Sequence, residues 1–150
     1  MIQSVNENIE VLASNSSTIS FLNDDVRTRR ANCCIWLQHS EGSPIYKILE
    51  GGLYEITFNA NVTSATAGVV ALGLLIDGVL AQGTTVIETI ATVGDYSNVA
   101  FTKKIKVCCK GNVNISIASI PSVLTGVTPT PTDTEIPIIQ NANLTITRKA

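Results

Sequence analysis

Apolar and polar residues alternate over residues 53–62. Tyr54, Ile56, Phe58, Ala60 and Val62 share one face of an extended chain, and Glu55, Thr57, Asn59 and Asn61 share the other. A period of two is the pattern of a strand with one buried face. Residues 69–76 break that rule, because neither face is polar. Val70, Leu72, Leu74 and Ile76 point one way, and Val69, Ala71, Gly73 and Leu75 the other. Such a strand needs cover on both sides, and a chain this short is expected to find its second cover in another copy of itself.

The same reading carried along the chain gives many short strands and no helix. The pattern predicts strands over residues 9–12, 18–22, 26–28, 33–39 (around Trp36) and 45–49, with Asn23-Asp24-Asp25 as a break. Asp77-Gly78 lies between two apolar runs, and both residues tolerate positive φ, so it predicts a tight hairpin returning through residues 79–82. Further strands are predicted at 86–93, 99–108, 113–120 and 138–148. In 99–108, Val99, Phe101, Ile105 and Val107 share a face opposite Lys104 and Lys106. Lys103 falls on the apolar face, which it can occupy at a rim with its stem snorkelling. Residues 121–137 contain Pro121, Pro129, Pro131 and Pro137 and read as a long exposed loop. Short strands at this spacing indicate an all-β, two-sheet sandwich or barrel. One domain spans residues 1–150, with 1–20 read as an N-terminal arm or docking segment.

Composition narrows the class. The 150 residues are 45% hydrophobic and 15% charged, with a net charge of −2 and a mean hydropathy of +0.28. That excludes disorder and gives no basis for nucleic-acid binding. The apolar surplus suits a subunit that hides surface in an oligomer. No run approaches the roughly 20 apolar residues that span a bilayer. No basic start followed by an apolar block marks a secretory signal, so synthesis and folding in a cytoplasm are expected. Cys33–Cys34 and Cys108–Cys109 lack the C-x-x-C spacing of a metal site. Each pair is expected to put one thiol inward and one outward as reduced small hydrophobes, a cross-strand disulfide being the alternative.

The run GGLYEITFNANV, with Gly52, Tyr54 and Phe58 in spacing, resembles the central strand of the jelly roll shared by tumour necrosis factor and the globular head of complement component one. The stretches SEGSPIYKILEGGLYEITFNANVTSATAGVVALGLLIDGV, VCCKGNVNISI and NANLTITR, with DDVRTR upstream, resemble small bacteriophage and bacterial proteins of that fold. The resemblance covers most of the chain beyond about residue 20, in order. It implies a jelly roll of tumour necrosis factor-like type that assembles as a homotrimer. In role it implies a capsid decoration protein, a tail component or a fibre head, on a virion built in a host cytoplasm. Only about twenty residues precede the resemblance, and no stalk is among them. The expectation is therefore a compact head auxiliary protein docking on the major capsid protein. The alternative is a fibre-head or tail domain binding a host surface glycan or protein through residues 121–137 and 40–44.

Candidate chemistry is sparse. The single histidine, His39, reads as a surface residue beside Ser40 and Glu41, and no Gly-x-Ser-x-Gly elbow is present. No catalysis is expected. Asp24 and Asp25 next to Arg27 read as a charged turn, and Gly51-Gly52 as the start of a strand and not a phosphate loop. Calcium at Asp24-Asp25 or Asp77 is disfavoured, since no loop has the ligand density of a dedicated site. No metal and no cofactor are expected. Asn15, Asn61, Asn114 and Asn143 begin Asn-x-Ser/Thr triplets, read as chance matches. Trp36 is read as core before sugar-stacking platform. Tyr54, Ile56, Phe58, Val70, Leu72, Leu74 and Phe101 are expected as contacts of the fold or trimer core. Arg27, Arg29 and Arg30, and Lys103, Lys104 and Lys106 with Lys110, form two basic clusters. They are either solvated strand faces or an electrostatic dock for an acidic partner such as a capsid surface. Partners are thus expected to be the chain itself, the capsid or other virion components, and a host glycan, with no nucleic acid and no membrane.

Overall fold

The computed structural model describes residues 1–27, 35–108, 112–125 and 130–149. Numbered in chain order, fourteen strands are present among them, all pairing antiparallel. One sheet runs β10 (Ser97–Val107), β6 (Gly52–Ser64), β14 (Pro137–Arg148), β1 (Ile2–Asn6) and β3 (Asn23–Arg27), with β2 (Glu10–Val11) beside β14. The facing sheet runs β4 (Leu37–Gln38), β5 (Tyr46–Ile48), β11 (Val113–Ser119), β7 (Gly68–Ile76) and β8 (Val79–Leu80), with β9 (Val86–Ile90) beside β7. A separate ribbon pairs β12 (Ser122–Thr125) with β13 (Thr130–Asp133).

The alternation in β6 sets the core. Tyr54, Ile56, Phe58, Ala60 and Val62 are fully buried between the sheets, and Leu144 and Ile146 of β14 stand opposite Phe58 and Ile56. From the facing sheet, Val70, Leu72, Leu74, Tyr46, Ile48, Ile115 and Ile117 meet them. The Asp77-Gly78 turn forms as expected, with φ of 50° and 80° and a register of Ile76 to Val79. Two successive positive φ values match the twist of the strands that the turn joins. The Asp77 carboxylate also accepts the Asn114 N–H at 2.8 Å, tying the turn to β11.

Lys103 behaves as a rim residue. It lies opposite Ile56 on the inner face of β10, the edge strand, and its Nζ donates to the Gln82 carbonyl at 2.6 Å. The ammonium thereby reaches the turn between β8 and β9 at the rim of the facing sheet.

Four expectations are corrected. The second face of β7 is covered largely by the chain itself. A Cβ on Gly73 would lie 2.5 Å from Leu80 Cδ1 and 3.1 Å from Ile120 Cδ1, and Ala71 is buried. A second copy is not needed there, because the return strand and the chain after β11 fold over the small residues. The expected arm at residues 1–20 is built into the sandwich. β1 lies between β14 and β3, while Ile19 and Ser17 share backbone hydrogen bonds with Ile117 and Ser119 along β11. Asn23, Asp24 and Asp25 belong to β3, because the open edge of β1 recruits them through a register shift between Gln3 and Ser4. Residues 121–137 are not one loop. They supply the β12–β13 ribbon, whose strands each keep an unpaired edge that tolerates Pro131. Cys33, Cys34 and Cys109 lie outside the described residues, and Cys108 carries an exposed free thiol.

Candidate functional site

The residues expected at the fold or trimer core fall inside one chain. Tyr54, Ile56, Phe58, Val70, Leu72 and Leu74 are each at most 1% exposed, so their contacts are those of the subunit core. Phe101, half-buried, stands opposite Phe58 with ring centroids 5.5 Å apart. Of the two basic clusters, Arg27, Lys103, Lys104 and Lys106 lie among the described residues. Lys103 points inward, as described. Lys104 and Lys106 are exposed on the outer side of β10, and Lys104 Nζ lies 4.0 Å from the Glu55 carboxylate. Lysines on an edge strand also discourage another strand from pairing there. Arg27 has its backbone in β3 opposite Ile2. Arg29, Arg30 and Lys110 lie outside the described residues.

His39 is buried, which corrects its reading as a surface residue. Its Nδ1 lies 2.7 Å from Asp24 Oδ1 and its Nε2 lies 2.9 Å from the Ser43 carbonyl. The ring stacks on Tyr46 at 3.9 Å and 6°, and Ser4 Oγ donates to the same Asp24 oxygen at 2.5 Å. Burial pushes the Tyr46 hydroxyl well above the ordinary tyrosine range. The network joins β1 and β3 of one sheet to the β4–β5 segment of the other. Chemically it is a clamp. In a hydrolytic triad histidine stands between carboxylate and nucleophile, whereas here Asp24 stands between Ser4 and His39, and both ring nitrogens face acceptors. Sequence reasoning missed it because Ser4, Asp24 and His39 are distant in the chain and share no motif spacing. Among the described residues, no group of three or more His, Cys, Asp or Glu is placed to hold a metal ion.

The outer face of the long-stranded sheet spans five strands. Register places Thr102, Thr57, Thr145, Gln3 and Val26 in one row across five strands, and Ala100, Asn59, Asn143, Val5 and Asn23 in the next. None of these side chains is charged, and all are short or unbranched. Thr57 and Thr102 share a hydrogen bond at 3.2 Å. Charge borders these rows at exposed Asp25 in the β3 bulge and at one end of the sheet, where Lys149 Nζ lies 2.7 Å from the Glu55 carboxylate. That hydrogen bond, with Lys104 nearby, holds the Glu55 carboxyl below the usual carboxylate range. Rows of uncharged side chains can meet a protein surface with a smaller desolvation penalty than charged ones.

No family model matches the chain, and no curated protein matches it. Solved structures do match. The globular domain of zebrafish complement 1qA protein superposes with a TM-score of 0.56 at 9% identity, over 99% of this chain and 96% of that one. Murine APRIL at pH 8.5 gives 0.56 at 10% identity, over 97% and 95%. Murine APRIL at pH 5.0 gives 0.51 at 11%, over 95% of both chains. Identities this low carry the fold alone, and that fold is the two-sheet jelly roll of complement heads and tumour necrosis factor-like proteins.

Proposed function

We propose that this chain is a non-enzymatic virion structural protein, a homotrimeric head auxiliary protein that decorates a bacteriophage capsid. The observation that carries self-association is the pair of uncharged rows on the outer face of the β10-β6-β14-β1-β3 sheet. In a chain with 22 charged residues, 10 basic plus 12 acidic, two rows across five strands carry none of them. Solvated faces of strands usually carry charge, and a face that excludes it is suited to packing. The virion setting is supported by the resemblance of the stretches around GGLYEITFNANV, VCCKGNVNISI and NANLTITR to small phage proteins. Docking on the major capsid protein would use surfaces away from the trimer face. A second reading, a fibre-head or tail domain that binds a host glycan or protein, is favoured by the β12–β13 ribbon. The ribbon forms a sheet of its own, closed at its base by the Thr134 N–H to Pro121 carbonyl hydrogen bond, and the Glu135 N–H to Val69 carbonyl hydrogen bond ties the chain that follows it to β7.

Sedimentation equilibrium of the purified chain is expected to give three times 15.9 kDa, and a monomer at micromolar concentration would overturn the trimer. Antibody labelling of purified virions tests the setting. Label over the head supports decoration, label confined to the tail supports the fibre reading, and unlabelled particles sink both.

A further inference from the structure

At one end of the long-stranded sheet the last pairs of the β6–β10 ladder are Lys106 with Leu53 and Val107 with Gly52. Gly51 and Gly52 contribute no side chains, so the ladder ends in a hollow between the tip of β10, the end of β14 and the segment before β6. The hollow is an open cavity of about 880 Å³, within the usual range of small-ligand sites. Leu49, Leu53 and Val107 give it an apolar wall, and Glu50, Lys106 and Arg148 supply its charges.

The rim is fixed in place. The Tyr54 hydroxyl donates to the Glu50 carbonyl at 2.8 Å. Arg148 donates through Nη1 to the Glu50 carboxylate at 2.5 Å and through Nη2 to the Gly51 carbonyl at 2.9 Å. A rim already pinned loses little freedom when something binds. Among the described lining residues, Arg148 offsets Glu50 and the Lys106 ammonium leaves a surplus of one positive charge at the mouth. One surplus charge matches a monoanion, and the Glu50 carboxylate would repel a second negative charge.

We infer that this hollow binds a carboxylate carried on an apolar body, its headgroup on Lys106 and the edge of Arg148, its body along Leu49, Leu53 and Val107. A bare inorganic anion would leave the apolar wall unused, and a neutral hydrocarbon would leave the ammonium desolvated without a partner. A free alkyl carboxylate and the apolar C-terminus of another chain share this chemistry.

Calorimetric titration of the full chain tests the site with decanoate. One saturable site per chain is expected. Lys106→Glu should weaken binding at least about tenfold, the scale of a lost charge-assisted hydrogen bond. Lys104→Glu, with the same charge change outside the hollow, should weaken it less than about threefold. Decyltrimethylammonium should not bind. The inference is overturned by an absence of saturable decanoate binding, by equal effects of the two lysine changes, or by equal binding of the cationic amphiphile. Comparing decanoate with an apolar hexapeptide, as free acid and as amide, assigns the source. A tighter acid peptide points to a partner's terminus, a tighter decanoate to a free amphiphile, and an amide as tight as the acid counts against the carboxylate altogether.

Discussion

His39 shows how much of this sandwich rests on single polar contacts. Its side chain is fully buried, with Asp24 Oδ1 at 2.7 Å, the Ser43 carbonyl at 2.9 Å and the Tyr46 ring stacked beneath it. His39→Ala would open a cavity against Tyr46 and strip a partner from a carboxylate that is itself 5% exposed. A loss of about 2–4 kcal/mol in urea unfolding is expected, from the cavity and the lost hydrogen bonds of the ring together. A change within about 0.5 kcal/mol would show that the clamp contributes nothing. Lys103 is the opposite case. It interrupts an apolar face in the sequence, and the interruption itself marks the sheet edge where its ammonium meets the Gln82 carbonyl. One displaced lysine was legible because alternation supplies a local ruler. The Asp24–His39 pair had no such ruler, since its geometry depends on a register shift in the pairing of β1 with β3.

Among the elements, β7 is where pattern and packing part company. Its inner residues Leu72 and Leu74 are at most 1% exposed, so Leu74→Asp buries a charge with no partner. The cost should exceed about 4 kcal/mol, comparable with the whole stability of a small domain, and the variant should lack a folded circular dichroism spectrum. Leu80 lies on the other side of β7, over Gly73, and is 41% exposed. Leu80→Asp should therefore stay folded, with a loss of roughly 1–2 kcal/mol, and keep its assembly state. If Leu80→Asp dissociated the protein while leaving it folded, a second copy would have to cover this face after all. The ribbon at β12–β13 illustrates a different limit. Four prolines in residues 121–137 argue against a central strand, and they do not argue against a two-stranded one with free edges.

For the molecule as a whole, the trimer proposal rests on one sheet face and is tested there. Thr57 sits in one of the two uncharged rows, between Thr102 and Thr145, where an added guanidinium would be held against a copy of the same rows. Thr57→Arg should leave the circular dichroism spectrum intact and shift the sedimentation mass from three chains to one. A variant that still sediments as three chains would place the interface elsewhere. The outer positions carry the more general lesson about assembly. Burial in the isolated subunit hides Tyr54, Ile56 and Phe58 from any partner, so the apolar signature of β6 reports on folding, while its Thr and Asn positions are the ones available for contact.

The residues by themselves determined the all-β class, the strand that anchors the core, the Asp77-Gly78 hairpin and the rim position of Lys103. Each follows from alternation or φ preference within a few neighbouring residues. Tertiary structure alone decided what covers β7, where residues 1–20 and 23–25 pair, that His39 is buried, and which rows of one face are left uncharged across five strands. The physical reason is range. Side-chain period and turn preference are local energies written in adjacent residues, whereas sheet order and register are set by which edges meet after collapse. Two residues with no spacing in the chain become neighbours only there.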